Sequence, residues 1–189
     1  MLCKRMACSR RVLTDLNGDW NADVLFVAEA PGRLGAEKTG IPLFGDRTGD
    51  RFECLLKEMR LERQQIFITN AILCNPRDDS GNNDSPKAAE ISNCSTLLRR
   101  TIEVVNPKIV VALGRVALEA LRLIVPHDAS LKNDVAQVRA WGHRRLGALY
   151  HPGPRSVVHR SWDTQMRDAR SMGTILRTEL LTSAFKQIQ

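Results

Sequence analysis

The chain has 189 residues, 43% apolar and 26% charged, with a net charge of +7 and a pI of about 9.5. That length suits a single domain, 1–189, with a real core. No apolar run approaches the length of a membrane span, and the start, Met1-Leu2-Cys3-Lys4-Arg5-Met6-Ala7-Cys8, has charge but no apolar centre, so it is no signal peptide and a cytoplasmic protein is expected. Arginine carries much of the basic excess, at Arg10-Arg11, Arg99-Arg100, Arg144-Arg145 and in the series Arg155, Arg160, Arg167, Arg170. Guanidinium groups match phosphate geometry, which favours a nucleic-acid partner; with aromatics at 5% a broad base-stacking platform is not expected.

In chain order, residues 22–27 are an apolar run opened by the Asn17-Gly18-Asp19 turn and predict a buried strand. It ends in Ala28-Glu29-Ala30-Pro31-Gly32. The loop 32–45 holds Gly32, Gly35, Gly40 and Gly45, without the spacing or the Gly-Lys-Ser/Thr ending of a phosphate loop. Residues 48–60 predict a helix with Phe52, Leu55, Leu56 and Met59 on one face, and Cys54 within it is expected in the core. A strand is predicted over 66–72 and a long polar loop over 75–85. A helix over 86–105 follows, which Ser85 can cap and whose first turn Pro86 fits. The β-branched run 108–113 predicts a central strand, Gly114 leads into a helix over 115–123, and 126–133 reads as a loop. A last strand over 145–150 ends in Tyr150-His151-Pro152-Gly153-Pro154-Arg155, and 161–185 predicts a terminal helix. Strands alternating with helices predict an α/β fold, three layers deep, with a central, mostly parallel four-stranded sheet covered on both faces.

In such sheets ligands bind beyond the carboxyl ends of the strands. Glu29 and His151, far apart in sequence, both fall on that rim. There a carboxylate and an imidazole can support one negative and one positive charge in a shared pocket. Singly, each has a plainer role, as a strand-end carboxylate and as a structural histidine. Asp46 either caps the following helix or brings a second carboxylate to the pocket. Asn70 is either a turn residue or a side-chain amide with the donors and acceptor that reading a pyrimidine imide edge requires. The five cysteines are Cys3, Cys8, Cys54, Cys74 and Cys94; an odd count argues against a disulfide framework. All but Cys54 are expected in loops or near helix ends.

Several motifs, in order, resemble the uracil-DNA glycosylase superfamily, and in particular its iron–sulfur-containing branches, families 4 and 5. Glu29-Ala30-Pro31-Gly32 with Thr39-Gly40-Ile41-Pro42-Leu43-Phe44-Gly45 is similar to the first motif of that family. The run from Ile66 through Asn70 to Cys74-Asn75-Pro76 is similar to its strand with the base-reading Asn and a cluster Cys. Glu90-Ile91-Ser92-Asn93-Cys94, Pro107-Lys108-Ile109-Val110-Val111-Ala112-Leu113-Gly114 and Tyr150-His151-Pro152 complete the order over roughly residues 1–160.

The resemblance implies a monomer that hydrolyses the N-glycosidic bond of uracil, or of another deaminated base, in DNA. It implies catalytic roles for Glu29, Asp46 and His151, base binding by Pro31, Leu43, Phe44 and Asn70, and DNA contact by Arg155. It implies a [4Fe–4S] cluster on Cys3, Cys8, Cys74 and Cys94; zinc would accept the same ligands, and free thiols are the plain alternative. A DNA-binding, lesion-sensing module with a degenerate pocket and a covalent-trapping variant using His159 are the other implied functions. The chain departs from the family in carrying Leu43 where an aromatic residue stacks on uracil, in the four-residue gap between Cys3 and Cys8, in a longer loop at Asp78-Asp79-Ser80-Gly81-Asn82-Asn83, and in Gly153-Pro154-Arg155 after the His-Pro.

Overall fold

A computed structural model describes residues 3–186. Its elements are β1 (Val24–Ala28), α1 (Ala36–Thr39), α2 (Arg47–Met59), β2 (Ile66–Asn70), α3 (Ala88–Val105), β3 (Ile109–Leu113), α4 (Arg115–Arg122), α5 (Leu131–Asp134), β4 (Val138–Trp141), β5 (Arg144–Leu149) and α6 (Trp162–Lys186), joined in places by short 3-10 turns. The sheet order is β2-β1-β3-β5-β4. The first four of these strands run parallel, and β4 pairs antiparallel with β5.

Alternation along each strand sorts the core into two halves, because successive side chains point to opposite faces. Leu25, Val27, Phe67, Val110, Ala112, Leu146 and Ala148 face α3 and α4, where Ile102, Val105, Leu118 and Leu121 meet them. Val24, Phe26, Ile66, Ile68, Ile109 and Val111 face the other way, onto Phe52, Leu56 and Met59 of α2 and Ala169, Met172 and Leu176 of α6. This is the expected three-layer α/β/α arrangement. α6 rides close on α2 at Gly173, where a Cβ would come within 2.4 Å of the Met59 carbonyl oxygen.

Several expectations need correcting; the segments 32–45 and 126–133, read as loops, hold the short helix α1 and most of the short helix α5. The sheet has five strands, not four: β4 is a short edge strand, joined to β5 by the turn at Gly142-His143. Cys54 is exposed, not core; it stands two residues from Phe52, about 200° around the helix from that buried position. Lys87, not Ser85, precedes the first turn of α3, and its N–H donates to Glu90 Oε2 at 2.7 Å. Cys94 lies within α3 rather than in a loop or near a helix end.

Candidate active site

The four parallel strands end at one level. Asn70 pairs with Ala28 in the β1–β2 register and Leu113 with Leu149 in the β3–β5 register. Bonding continues past the strands: Ala71 N–H donates to the Ala28 carbonyl (2.8 Å), Ile72 N–H to that of Glu29 (3.2 Å) and Gly114 N–H to that of Leu149 (2.8 Å). The residues just beyond this level are therefore held by backbone ladders. A cavity of about 560 Å³ opens there, and Glu29, Pro31, Leu43, Asp46, His151 and Arg155 all line it.

His151 is fixed from both sides. Its Nδ1 accepts the Gly153 N–H at 3.0 Å, so the neutral ring carries its proton on Nε2. Enclosure pushes its pKa from 6.5 down to about 4, although Asp46 nearby pulls the other way. The ring is neutral near pH 7, and the positive charge expected at this position is absent there. Two glycines make room for it. A Cβ on Gly153 would come within 2.8 Å of Nδ1, and a Cβ on Gly114, whose φ is +95°, within 3.1 Å of the His151 Cβ.

Glu29 is half-buried, and burial pushes its carboxyl above the ordinary carboxylate value. Hydrogen bonding from Ser85 and the nearby charges of Arg115 and Arg155 oppose that shift. Asp46 does both things the sequence allowed. Its Oδ1 caps α2 by accepting the Gly49 N–H at 2.9 Å, while its Oδ2 lies close against Gly32 and Gly35, where Cβ atoms would come within 2.9 and 2.6 Å.

Leu43 forms part of the wall in a left-handed conformation, φ 49°, which a branched side chain adopts only when its surroundings hold it there. Arg63 supplies the hold. Its guanidinium donates to the carbonyls of Pro42 and Leu43, both at 2.9 Å, and is itself tied to Glu53. Phe44 does not line the cavity. It is 44% exposed and lies beneath the Arg63 guanidinium, 5.9 Å from the ring centre. Asn70 does not line the cavity either: it is only 2% exposed, ends β2, and leaves its Nδ2 with no hydrogen-bond partner. Arg155 and His159 are exposed at the mouth.

Sequence reasoning missed one wall. Asn75, Asn83, Asp84 and Ser85, from the polar loop before α3, line the cavity together with Pro154 and Ser156. Such a loop has no periodicity to reveal it; its unusual length was the one available signal.

Of the four cysteines assigned to a metal, Cys3, Cys74 and Cys94 pack against the same side of the core, near enough for each to influence the others' charge. Polar hydrogens face these sulfurs: Asn93 Nδ2 approaches Cys3 Sγ at 3.5 Å, Arg11 bonds to Cys74, and the Leu73 backbone to Cys94. Cys8 is exposed, in the turn after the 3-10 segment Lys4–Met6. Among the described residues no group of three or more His, Cys, Asp or Glu stands close enough to hold one metal ion. A zinc ion needs its ligands around a single point; a four-iron cluster takes one thiolate per iron and spreads them over its corners. The all-thiol donor set suits such a cluster in chemistry; three of its members pack against one side of the core, and Cys8 stands exposed outside that group.

The model of the uracil DNA glycosylase superfamily matches residues 16–171. The chain is 31% identical to a type-4 uracil-DNA glycosylase of Archaeoglobus fulgidus over 76% of its length and 70% of the relative's. It is 43% identical to a type-4 uracil-DNA glycosylase of Sulfurisphaera tokodaii over 72% and 66%, and 34% identical to a type-5 uracil-DNA glycosylase of Pyrobaculum aerophilum over 74% and 65%. It thus spans about two thirds of the length of these relatives. A match over most of the chain, together with the α/β/α fold and the carboxylates and imidazole on one strand-end cavity, shows that the chain belongs to the uracil-DNA glycosylase superfamily.

Proposed function

We propose that this protein is a monofunctional DNA glycosylase that hydrolyses the N-glycosidic bond of uracil in DNA, leaving an abasic site, and that other deaminated bases are its further candidate substrates. The observation that carries this reading is the neutral His151, its Nε2–H left as a fixed donor in the cavity shared with Glu29 and Asp46.

The target base must first leave the stack, because its sugar carbon is inaccessible within a duplex. The C1′–N1 bond then breaks with its electron pair leaving on the base, giving a cationic sugar and an anionic pyrimidine. His151 Nε2–H donates to the pyrimidine O2 as negative charge develops. A preorganised neutral donor of this kind stabilises the anion without an ionisation step. Water adds to C1′, forming the new C–O bond and releasing one proton.

Glu29 takes the water-orienting role, since its carboxyl is half-buried and its oxygens are not committed to a helix cap. Asp46 keeps one oxygen on its cap, and its second faces the cavity as a fixed negative charge for the sugar cation. Asn70 reads the base, its orphaned Nδ2 being a buried donor in need of an acceptor such as O4. Pro31 and Leu43 supply the apolar wall, and Arg155 grips phosphate or fills the gap in the duplex. Cys3, Cys8, Cys74 and Cys94 are the residues that would hold a [4Fe–4S] cluster, whose role would be to tie the N-terminal segment to α3. The hydrolysis transfers no electron, so no redox role is assigned to it.

The test is a single-turnover gel assay on oligonucleotides carrying uracil, hypoxanthine or xanthine, single-stranded and duplex, with alkali to cleave abasic sites. Wild-type protein should excise uracil. His151→Ala should lose about 10²–10³ in rate while keeping most of its DNA affinity, which phosphate contacts dominate. Excision of no deaminated base by metal-loaded protein, or a wild-type rate for His151→Ala, would overturn the proposal.

A further inference from the structure

The loop wall missed by the sequence has an unusual foundation. Residues 77–85 contain no apolar side chain, so hydrophobic burial cannot place them and only polar contacts do. Its middle is tied to the glycine loop: Asn83 Oδ1 accepts the Arg33 N–H at 3.0 Å, and Asn82 Oδ1 accepts Arg33 Nη2 at 3.0 Å. Its end, Asp84-Ser85, lines the cavity with Glu29 and is held from a distant part of the chain. Arg5 Nη1 donates to the Asp84 carboxylate and to the Arg77 carbonyl (3.4 Å), and Arg5 Nη2 donates to the Ser85 carbonyl at 3.1 Å. The same guanidinium is anchored two-pronged on Glu90, at 3.0 and 2.8 Å. Glu90 is itself 8% exposed at the start of α3. A planar five-donor fork can do both at once, and a lysine cannot.

Resting on the function proposed above, the geometry points to Arg5 as a positioning residue: it fastens the Asp84-Ser85 wall to the cysteine-bearing N-terminal segment and thereby sets the surroundings of Glu29. Arg5 does not itself line the cavity and acts through the wall. The N-terminal segment is a firm support. Met6 is 4% exposed, Ser9 Oγ donates to the Asn75 carbonyl at 2.8 Å, and Val12 N–H donates to that of Leu73 at 2.8 Å. Glu29 faces Ser85 on this wall, Arg115 and Glu119 on α4, and Arg155 beyond β5. Of these, only the Ser85 contact depends on the loop. If the wall drifts, Glu29 loses a hydrogen bond that favours its ionised form, and its pKa rises further.

The experiment compares wild type, Arg5→Gln, Arg5→Lys and Asp84→Ala, all metal-loaded, by iron content, amide hydrogen exchange and single-turnover excision against pH. Arg5→Gln should keep its iron, exchange the amides of residues 84–85 at least about tenfold faster, and excise about ten- to a hundredfold more slowly, with the acidic limb of its profile moved to higher pH. Arg5→Lys should fall short of rescue. Asp84→Ala leaves the Arg5–Glu90 pair intact, so it should show the same pH displacement in a protein whose N-terminal segment is undisturbed, and it decides the matter if the Arg5 variants fail to fold. Unchanged exchange and an unmoved acidic limb, at equal iron, overturn the inference. If wild-type protein excises nothing, the functional reading falls, and the exchange at 84–85 alone still decides whether Arg5 holds the wall.

Discussion

At His151 a single hydrogen bond fixes chemistry that composition leaves open. Its Nδ1 is committed to Gly153, and its low pKa keeps the ring neutral. The pH dependence of excision between pH 6 and 8 should therefore contain no limb from this residue, a point that comparison with His151→Gln profiles checks. Folding stability carries the opposite mark. Between pH 6.5 and about 4 the unfolded chain binds a proton at this imidazole and the folded one does not. Stability on this account is fully present above pH 6.5 and is lost as pH falls toward 4, by on the order of 2–3 kcal/mol. Urea midpoints at pH 7 and pH 4.5 should show that loss reduced in His151→Gln. The glycines around the ring are equally exacting. Gly114→Ala places a Cβ 3.1 Å from the His151 Cβ at a φ of +95°, and should cost about 1–2 kcal/mol and shift the ring enough to slow excision by up to about a hundredfold. At Leu43 the strain is met by Arg63. Arg63→Ala should blur discrimination between uracil and bulkier bases more than it lowers the rate on uracil, in a competition assay with mixed lesions.

Among the elements, the four parallel strands were legible because strands covered on both faces are written as unbroken apolar runs. β4 was not legible: it is short, it sits at the sheet edge, and it carries Arg139 between Val138 and Ala140, with only Trp141 buried. The helices α2, α3, α4 and α6 were found by their periodicity with small errors at the ends, the short α1 and α5 fell in segments read as loops, and the misplacement of Cys54 came from reading a helix as core without following its phase. Of the site, Glu29, Pro31, Leu43, Asp46, His151 and Arg155 line one cavity, whereas Phe44 and Asn70 do not. Leu43, the neighbour of Phe44, turns inward at a positive φ that no sequence pattern announces. α6 has a part in the site that its amphipathic stripe does not suggest. Asp168 pairs with both prongs of Arg160, which stacks over Tyr150, and Gln165 donates to the Ser156 hydroxyl at 3.0 Å. The loop carrying His151 is thus bolted to the terminal helix. Asp168→Asn should destabilise the protein by about 1–3 kcal/mol and lower the excision rate more than the apparent affinity for DNA, in thermal melts and single-turnover titrations.

For the whole molecule, a charge of +7 predicts binding to duplex DNA that weakens steeply with salt, with a log–log slope of about −4 to −7, measurable by fluorescence anisotropy on undamaged and uracil-containing duplexes. Among the described residues no helix is long and apolar enough to cross a membrane. The order of the sheet carries a further consequence. β1, which presents Glu29, and β5, which presents His151, are not neighbours; β3 lies between them and is followed by Gly114, which offers no side chain. Two strand spacings amount to roughly 9.6 Å. The sheet thus works as a comb with one blank tooth, and the width of its notch, comparable to a nucleoside, is set by the hydrogen-bond repeat of the backbone. No point substitution can widen or narrow that gauge. Divergence in the choice of base must be written in the loops that roof the notch, at Leu43 and along residues 75–85, while the interval between carboxylate and imidazole stays as the sheet made it.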